Sequence, residues 1–431
     1  MPVPTIHHPG ARRLLPLLAA VTLIVAVAGC GARGPSGITT LTFVNAQDPG
    51  TFDRVVAAFE AAHPAIRIEQ QAVPFDDLNA TLQSRLGTRD ADIDLYDVDE
   101  PRLAAFAARG FLEPLDDLAG AAAGRIDPAA LKITNYRGTQ FAMPRWTSSQ
   151  LLYYNRALLA RAGITPPSSA PQSPATWERI TADGQRAQAA GARYGLIFDQ
   201  VDRYYQLQPL AASLGGGPGL TGPDLLEPDI TNAAWTQAFS WYHAIFRSGV
   251  APRGINPEQT PSLFAAGSTA YFAGGPWNAA AFDEAADVDY GVAPFPRFAQ
   301  GRPATSTGSW ATGISPFSAH KDAAKEFLRY MTVDAAGAGQ LVSDNIPVQR
   351  QAFERYLSRL RDRGARYAQI AGIVRYALAG TSVSRPVTVG YVDFESVMNR
   401  AFADIRNGTD AAARLGQATG ELTRALAKYR R

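Results

Sequence analysis

The chain has 431 residues, 46% of them apolar, and its 41 basic and 39 acidic side chains give a formal net charge of +2. That balance argues against a nucleic-acid partner, and the length exceeds what one hydrophobic core fills, since single cores stop growing near about 250–300 residues. A single cysteine excludes an internal disulfide.

Arg12 and Arg13 precede an apolar run from Leu14 to Val27, which ends in Val27-Ala28-Gly29-Cys30. The pattern predicts a cleaved lipoprotein signal over residues 1–29, too short for a membrane span of about 20 residues, with Cys30 as the lipidated residue. Residues 1–29 hold two arginines and no acid, so the mature chain carries 39 basic against 39 acidic groups. Residues 30–37 are small, polar and Gly/Pro-containing, which suits a flexible tether.

Folding is expected to begin near Thr40. Leu41 to Val44 reads as a strand, and Phe52, Val55, Val56, Phe59 and Ala62 follow helical spacing with Thr51 as N-cap, stopped by Pro64. Ile66 and Ile68 alternate with polar neighbours as a second strand. Leu78, Leu82 and Leu86 mark a second helix closed by Gly87, and Ile93 to Val98 a third strand. The β-α-β-α-β order implies a parallel sheet covered by helices. After Pro144, Gln150 to Asn155 is strand-like, Ala157 to Ala162 helical, and the Pro-rich stretch 166–174 leads into a helix at Thr176-Trp177-Glu178. Tyr194 to Phe198 predicts another buried strand, Trp235, Ala238, Phe239 and Tyr242 another helix, and Ala411 to Tyr429 a terminal helix.

Enzyme signatures are absent from the sequence: no Walker A loop, no nucleotide-type glycine fingerprint, no HExxH and no GxSxG. The histidines beyond residue 29 (His63, His243, His320) lack ligand spacing, so neither a metal nor a cofactor is expected. The acid pairs Asp76-Asp77, Asp99-Glu100 and Asp116-Asp117 leave open a hydrolase working with two carboxylates, although adjacent acids at helix starts and turns are usually caps or solvated faces.

From Phe264 the chain runs FAAGSTAYFAGGPWNAAAF, continues through DVDYGVAPFPRF, and reaches GSWATGISPFSAHKDAAKEFLRYM between Gly308 and Met331. Upstream stand FAMPRWTSSQLLYYNRALLARAGI and PATWERI; downstream stands Asn345-Ile346-Pro347-Val348. This series, in this order over residues 40–410, resembles the maltose-binding-protein-like solute-binding proteins of ABC importers. The resemblance implies an α/β, two-lobed periplasmic-binding-protein fold of type II, with two parallel-rich domains joined by a multi-segment hinge. It implies a first lobe of residues 38–144 plus 275–340 and a second of 145–274 plus 341–431. Pro144 and the Gly274-Gly275-Pro276 turn would be crossing points.

A pyranose has apolar C–H faces and a rim of hydroxyls, so its site needs flat aromatics and planar polar groups. Ligands of α/β lobes bind beyond the carboxyl ends of strands, which selects Asn45, Gln47 and Asp48 after the first strand and Asp97, Asp99 and Glu100 at the third. Asp97 is favoured because an acid ending an apolar strand needs donors; its other role would be to cap the helix after Pro101. Trp146, just past the hinge, suits either ligand contact or lobe core. The resemblance further implies an aromatic platform at Arg203-Tyr204-Tyr205, where Tyr205 aligns best, a cleft tryptophan at Trp277, a second interlobe aromatic at Trp310, and a late loop bringing Arg385 and Tyr391 back to the cleft.

The expected function is that of a non-enzymatic, lipid-anchored extracytoplasmic subunit, monomeric, delivering a neutral di- or oligosaccharide to an ABC permease driven by a cytoplasmic ATPase. The alternative within the same fold is uptake of glycerol-3-phosphate or glycerophosphodiesters, with Arg145, Arg203 and Arg385 as the cations. From another class, the alternative is a lipid-anchored glycoside hydrolase.

Overall fold

Two sheets, each with helices on both faces, organise the chain in a computed structural model that describes residues 37–308, 310–341 and 345–430. Cys30, the segment 1–29 and all of the 30–37 tether except Gly37 lie outside the described residues.

The first sheet has the strand order Ile66–Ala72, Thr39–Asn45, Leu95–Asp99, Trp310–Ile314, Met143–Pro144. The first three strands are parallel and the last two run antiparallel to their neighbours. Side chains alternate across the pleat. Leu41, Phe43 and Leu95 pack with Val55 and Phe59 of helix Asp53–Ala62 and with Phe327 and Met331 of helix Lys321–Thr332. Val44, Tyr96 and Val98 turn to the other face and meet Leu78, Leu82 and Leu86 of helix Phe75–Gly87. The first helix is preceded by Phe52 at its cap position, with no side-chain cap, so Thr51 does not fill that role.

The second sheet has the order Tyr290–Pro294, Leu151–Asn155, Thr269–Gly274, Tyr194–Phe198. Here only the last pair is parallel. Both sheets are therefore mixed. Leu152, Tyr154, Leu196, Phe198 and Tyr271 face one core, and Leu151, Tyr153, Ile197, Phe272 and Val292 face the other. The helix expected from Thr176 runs Trp177–Ala189, and Thr176 caps it, its hydroxyl accepting from the backbone N–H of Arg179. Helix Tyr204–Ser213, with all ten residues buried, was not expected. Its Pro209 and its buried Gln206 and Gln208 interrupt the apolar pattern; Gln206 donates to Gln150 and Gln208 to the carbonyl of Ser384.

On the chain's first passage Pro144 is the final residue paired in the first sheet, and by Leu151 the chain is in the second. The Gly274-Gly275-Pro276 turn, in contrast, is not a crossing. It leads into helix Asn278–Glu284 and then into Tyr290–Pro294, which pairs with Leu151–Asn155 across five residues and buries Phe282, Val288 and Tyr290 in a second-sheet core. The return to the first sheet occurs only between Pro294 and Trp310, so the expected assignment of residues 275–294 to the first lobe does not hold. Short crossing strands bind one another where they pass. Ile346–Pro347 pairs with Trp146–Thr147, and Thr305–Thr307 pairs with Ser382–Ser384. The hydroxyls of Thr147 and Thr307 lie 2.7 Å apart, and Ser148 Oγ donates to the carbonyl of Gly308 at 2.6 Å.

Candidate functional site

A cleft of about 720 Å³ lies between the two sheets. Strand ends of the first sheet bring Gln47, Asp48 and Asp99 to it, and the segments beyond the second bring Arg203, Tyr205 and Trp277. Trp310 stands opposite Asp99 in the antiparallel register, and Arg385 enters from the segment after the Ser382–Ser384 strand. These eight sequence-predicted residues share one cavity.

Trp277 is held at three points. The indole N–H donates to Asp199 Oδ2 at 3.0 Å, the ring lies against the backbone of Gly275, where a Cβ would come within 2.1 Å of ring carbons, and Asn278 shares the same carboxylate oxygen at 2.9 Å. Only glycine permits that approach. Asp199 ends the strand Tyr194–Phe198 and is buried, which pushes its carboxyl up to about 6, although Asn278, Trp277 and the Gly275 N–H all favour the ionised form. Tyr205 donates to Ser148 Oγ at 2.7 Å, and burial raises its phenol to about 12. On the first-lobe side Trp310 meets Phe75 edge-on at 5.7 Å, and Phe75 is 47% exposed at the head of its helix. Aromatic surface thus reaches the cleft from both lobes.

The cleft's charges are paired across the same gap. Arg385 makes a bidentate contact with Asp99, 3.0 and 2.5 Å. Burial works against that charge, but Asp99, with Tyr391 and Glu395, outweighs it and holds the guanidinium well above its ordinary range. Arg102 pairs with Glu395, and Arg203 with Asp76 at 3.1 Å. Among the described residues, three arginines line the cavity against five carboxylates, Asp48, Asp76, Asp99, Glu258 and Glu395, and each arginine is engaged by at least one of them, Arg102 by both Glu395 and Asp99.

Five sequence-predicted residues lie outside the cavity lining. Trp146 is a core side chain with no exposed surface, stacked on Phe52 at 5.8 Å with the Arg145 guanidinium 4.7 Å from its ring. Asp97 is buried in an ion pair with Arg145 and also accepts from Gln47 Nε2 at 3.2 Å; it caps no helix and stands one residue behind the cleft. Asn45 is buried and accepts from the Gln47 backbone at 3.1 Å, which fixes that turn. Glu100 is buried against Gly308, where a Cβ would lie 2.7 Å from its carboxylate. Tyr391 is buried and donates to Glu395 at 3.0 Å. Sequence reasoning missed Phe75, Asn79, Arg102, Glu395 and Asn399 as cavity residues. Phe75 carried no separate signal, because it stands 3, 7 and 11 residues before Leu78, Leu82 and Leu86 and reads as part of the same buried face; it is exposed where it opens the helix directly after Pro74.

A family model described as bacterial extracellular solute-binding protein matches residues 45–338. The mannitol-binding protein of Pseudomonas aeruginosa is 26% identical over 73% of this chain and 72% of its own length. The diacetylchitobiose-binding protein of Streptomyces coelicolor is 22% identical over 97% of this chain and 99% of its own. Among solved structures, an ABC substrate-binding protein of Listeria monocytogenes in complex with cycloalternan superposes with a TM-score of 0.78 at 22% identity, covering 90% of this chain and 98% of that one. The fold is the two-lobed one of these binding proteins, and the chain belongs to the bacterial extracellular solute-binding protein family.

Proposed function

We propose that this chain is the substrate-binding lipoprotein of an ABC importer and that its interlobe cleft takes a neutral di- or oligosaccharide. In this reading residues 38–144 with about 310–341 form the first lobe, and residues 151–294 with about 350–430 the second. The observation that carries the proposal is the combination of aromatic faces from both lobes with arginines that are already neutralised. Such a surface offers stacking and hydroxyl-bonding groups, and among its described residues each arginine is already paired with a carboxylate. The ligands named for the relatives and the solved neighbour, mannitol, diacetylchitobiose and cycloalternan, are likewise uncharged polyhydroxy compounds.

Glycerol-3-phosphate or a glycerophosphodiester fits less well, because Arg145, Arg203 and Arg385 are engaged by Asp97, Asp76 and Asp99. For a glycoside hydrolase, the acids Asp76, Asp99 and Glu395 are each tied to an arginine, and Asp199 lies behind the Trp277 indole. The anchor is the lipid on Cys30, the partners are a permease with its cytoplasmic ATPase, and the protein acts as a monomer. Cys30→Ser should abolish acyl labelling in cells while leaving the secreted protein folded; undiminished labelling would place the anchor elsewhere.

A thermal-shift panel of saccharides and glycerophosphates tests the ligand class. A ligand at 100 times its dissociation constant adds about 2.7 kcal/mol of stability. Saccharides should raise the melting temperature and be recovered intact; stabilisation by glycerophosphates alone, or recovery of cleaved sugar, would overturn the proposal.

A further inference from the structure

A second cavity, about 800 Å³, lies between the lobes beside the first, and Val392 lines both. Val392 is a half-buried side chain in the first turn of helix Tyr391–Asn407, whose later residues Glu395, Ser396 and Asn399 face the first cavity. The two spaces adjoin at this one apolar side chain.

We propose that the binding cleft continues past Val392 into this chamber and that the ligand is an oligosaccharide long enough to occupy both. The inference rests on the saccharide reading above and adds to it the length of the ligand and the residues that receive its far end.

Like the first cavity, the chamber combines aromatic rings with polar side chains. Phe106 and Tyr136 come to it from the first lobe, and Leu226 and Tyr429 from the second. Tyr136 carries Arg137 at 5.3 Å from its ring centroid, and Tyr429 carries Lys428 at 4.9 Å, so a sugar laid beside either ring meets apolar surface and a donor together. Tyr429 is fixed in place, because its hydroxyl donates to Asp393 at 2.8 Å and Lys428 binds the same carboxylate oxygen at 2.9 Å. Gln83, Arg109 and Asp224 supply planar polar groups of the kind that bind hydroxyls.

The lips of the chamber are two hairpin tips. In the hairpin of Asn135–Tyr136 and Thr139–Gln140, Arg137 and Gly138 have φ of 52° and 91°, as a tight two-residue turn requires. In the hairpin of Leu220–Thr221 and Glu227–Pro228, Leu225 is held at φ 52°. Leucine rarely adopts that conformation, and where it persists the surroundings impose it, as at ligand clamps. Each cavity alone falls in the range of about 300–1,000 Å³ usual for a ligand site. A disaccharide fits within one; only a longer chain reaches from Trp277 to Tyr429.

Calorimetry on the mature chain tests this, with maltodextrins from maltose to maltoheptaose and chitooligosaccharides from chitobiose to chitohexaose as probes. In the series that binds, affinity should keep rising beyond the disaccharide. Tyr136→Ala and Tyr429→Ala should each weaken the longest oligomer about tenfold, equivalent to about 1.4 kcal/mol, and leave the disaccharide unchanged. The two tyrosines sit on separate elements, so if one ligand-free variant melts early the other carries the test. An affinity that levels off at the disaccharide, or an equal loss for short and long ligands, overturns the proposal while the saccharide reading stands. If no member of either series binds, the disaccharides included, both fall.

Discussion

Trp277 and Trp146 are tryptophans in opposite surroundings, one lining the cleft and one without exposed surface. Covering one indole face with a sugar ring contributes roughly 2 kcal/mol at about 25 cal/mol per Å², so Trp277→Ala should weaken saccharide binding about 30-fold with little change in ligand-free melting. Trp146→Ala should instead cost about 3–5 kcal/mol of fold stability and leave affinity intact in the protein that folds. Calorimetry beside melting curves separates the two, and exchanged behaviour would reverse the assignments. Trp277 was legible because GGPWN matches the cleft tryptophan of the family that the motif order resembles. The inward turn of Trp146 was not, since a side chain two residues past Pro144 can face either way and only the position of Phe52 decides.

Asp199, behind Trp277, makes the residue scale pH-dependent. Its folded pKa of about 6 stands above the 3.8 of a free aspartate, so the native state holds a proton that the unfolded chain has released between about pH 4 and 6. Stability from this group is therefore complete below about pH 4 and lost as pH rises through 6, on the order of 3 kcal/mol in all. Unfolding titrations of the wild type and Asp199→Asn at pH 4 and pH 7 should show the wild type losing up to about that much relative to the variant; parallel profiles would contradict the assignment. Since the carboxylate fixes the indole, saccharide affinity should also fall below about pH 6.

At the scale of elements, the crossing segments and the ion pairs beside them set how the lobes meet. Arg385 and Asp99 come from opposite lobes and are both buried. Arg385→Met removes the bidentate partner of Asp99 and leaves it only the longer contact with Arg102 at 3.8 Å, and breaking a buried pair costs about 3–5 kcal/mol unless the lobes part and let water in. The ligand-free variant should accordingly show a larger radius of gyration than the wild type in X-ray scattering; an unchanged radius with a lowered melting temperature would make the pair a fold contact rather than a closure contact. The strands and helices from Thr39 to Asp99 were readable because apolar spacing alternates between two and about 3.6 residues. Tyr290–Pro294 was assigned to the wrong sheet, because a strand's sequence is the same whichever sheet it joins. The Gly274-Gly275-Pro276 signal for a strand end is equally the signal for a crossing. Helix Tyr204–Ser213 escaped because Gln206 and Gln208 are buried by hydrogen bonds and Pro209 breaks the spacing.

Over the whole molecule, length had already pointed to two lobes, and the motif order pointed to the tryptophan that lines the cleft. What no motif order contains is the pairing of charges across the cleft, since Asp99 and Arg385 are 286 positions apart. A ligand that touches both lobes exists fully bound only when they close, so it shifts the population towards the closed state. Glycerol-3-phosphate should not do so, because the arginines described in the first cavity are already paired with carboxylates. X-ray scattering of the mature chain with the best-binding saccharide, with glycerol-3-phosphate and with neither is the most direct test: a smaller radius of gyration with the saccharide alone is expected, and superimposable curves under saturating saccharide would contradict the account.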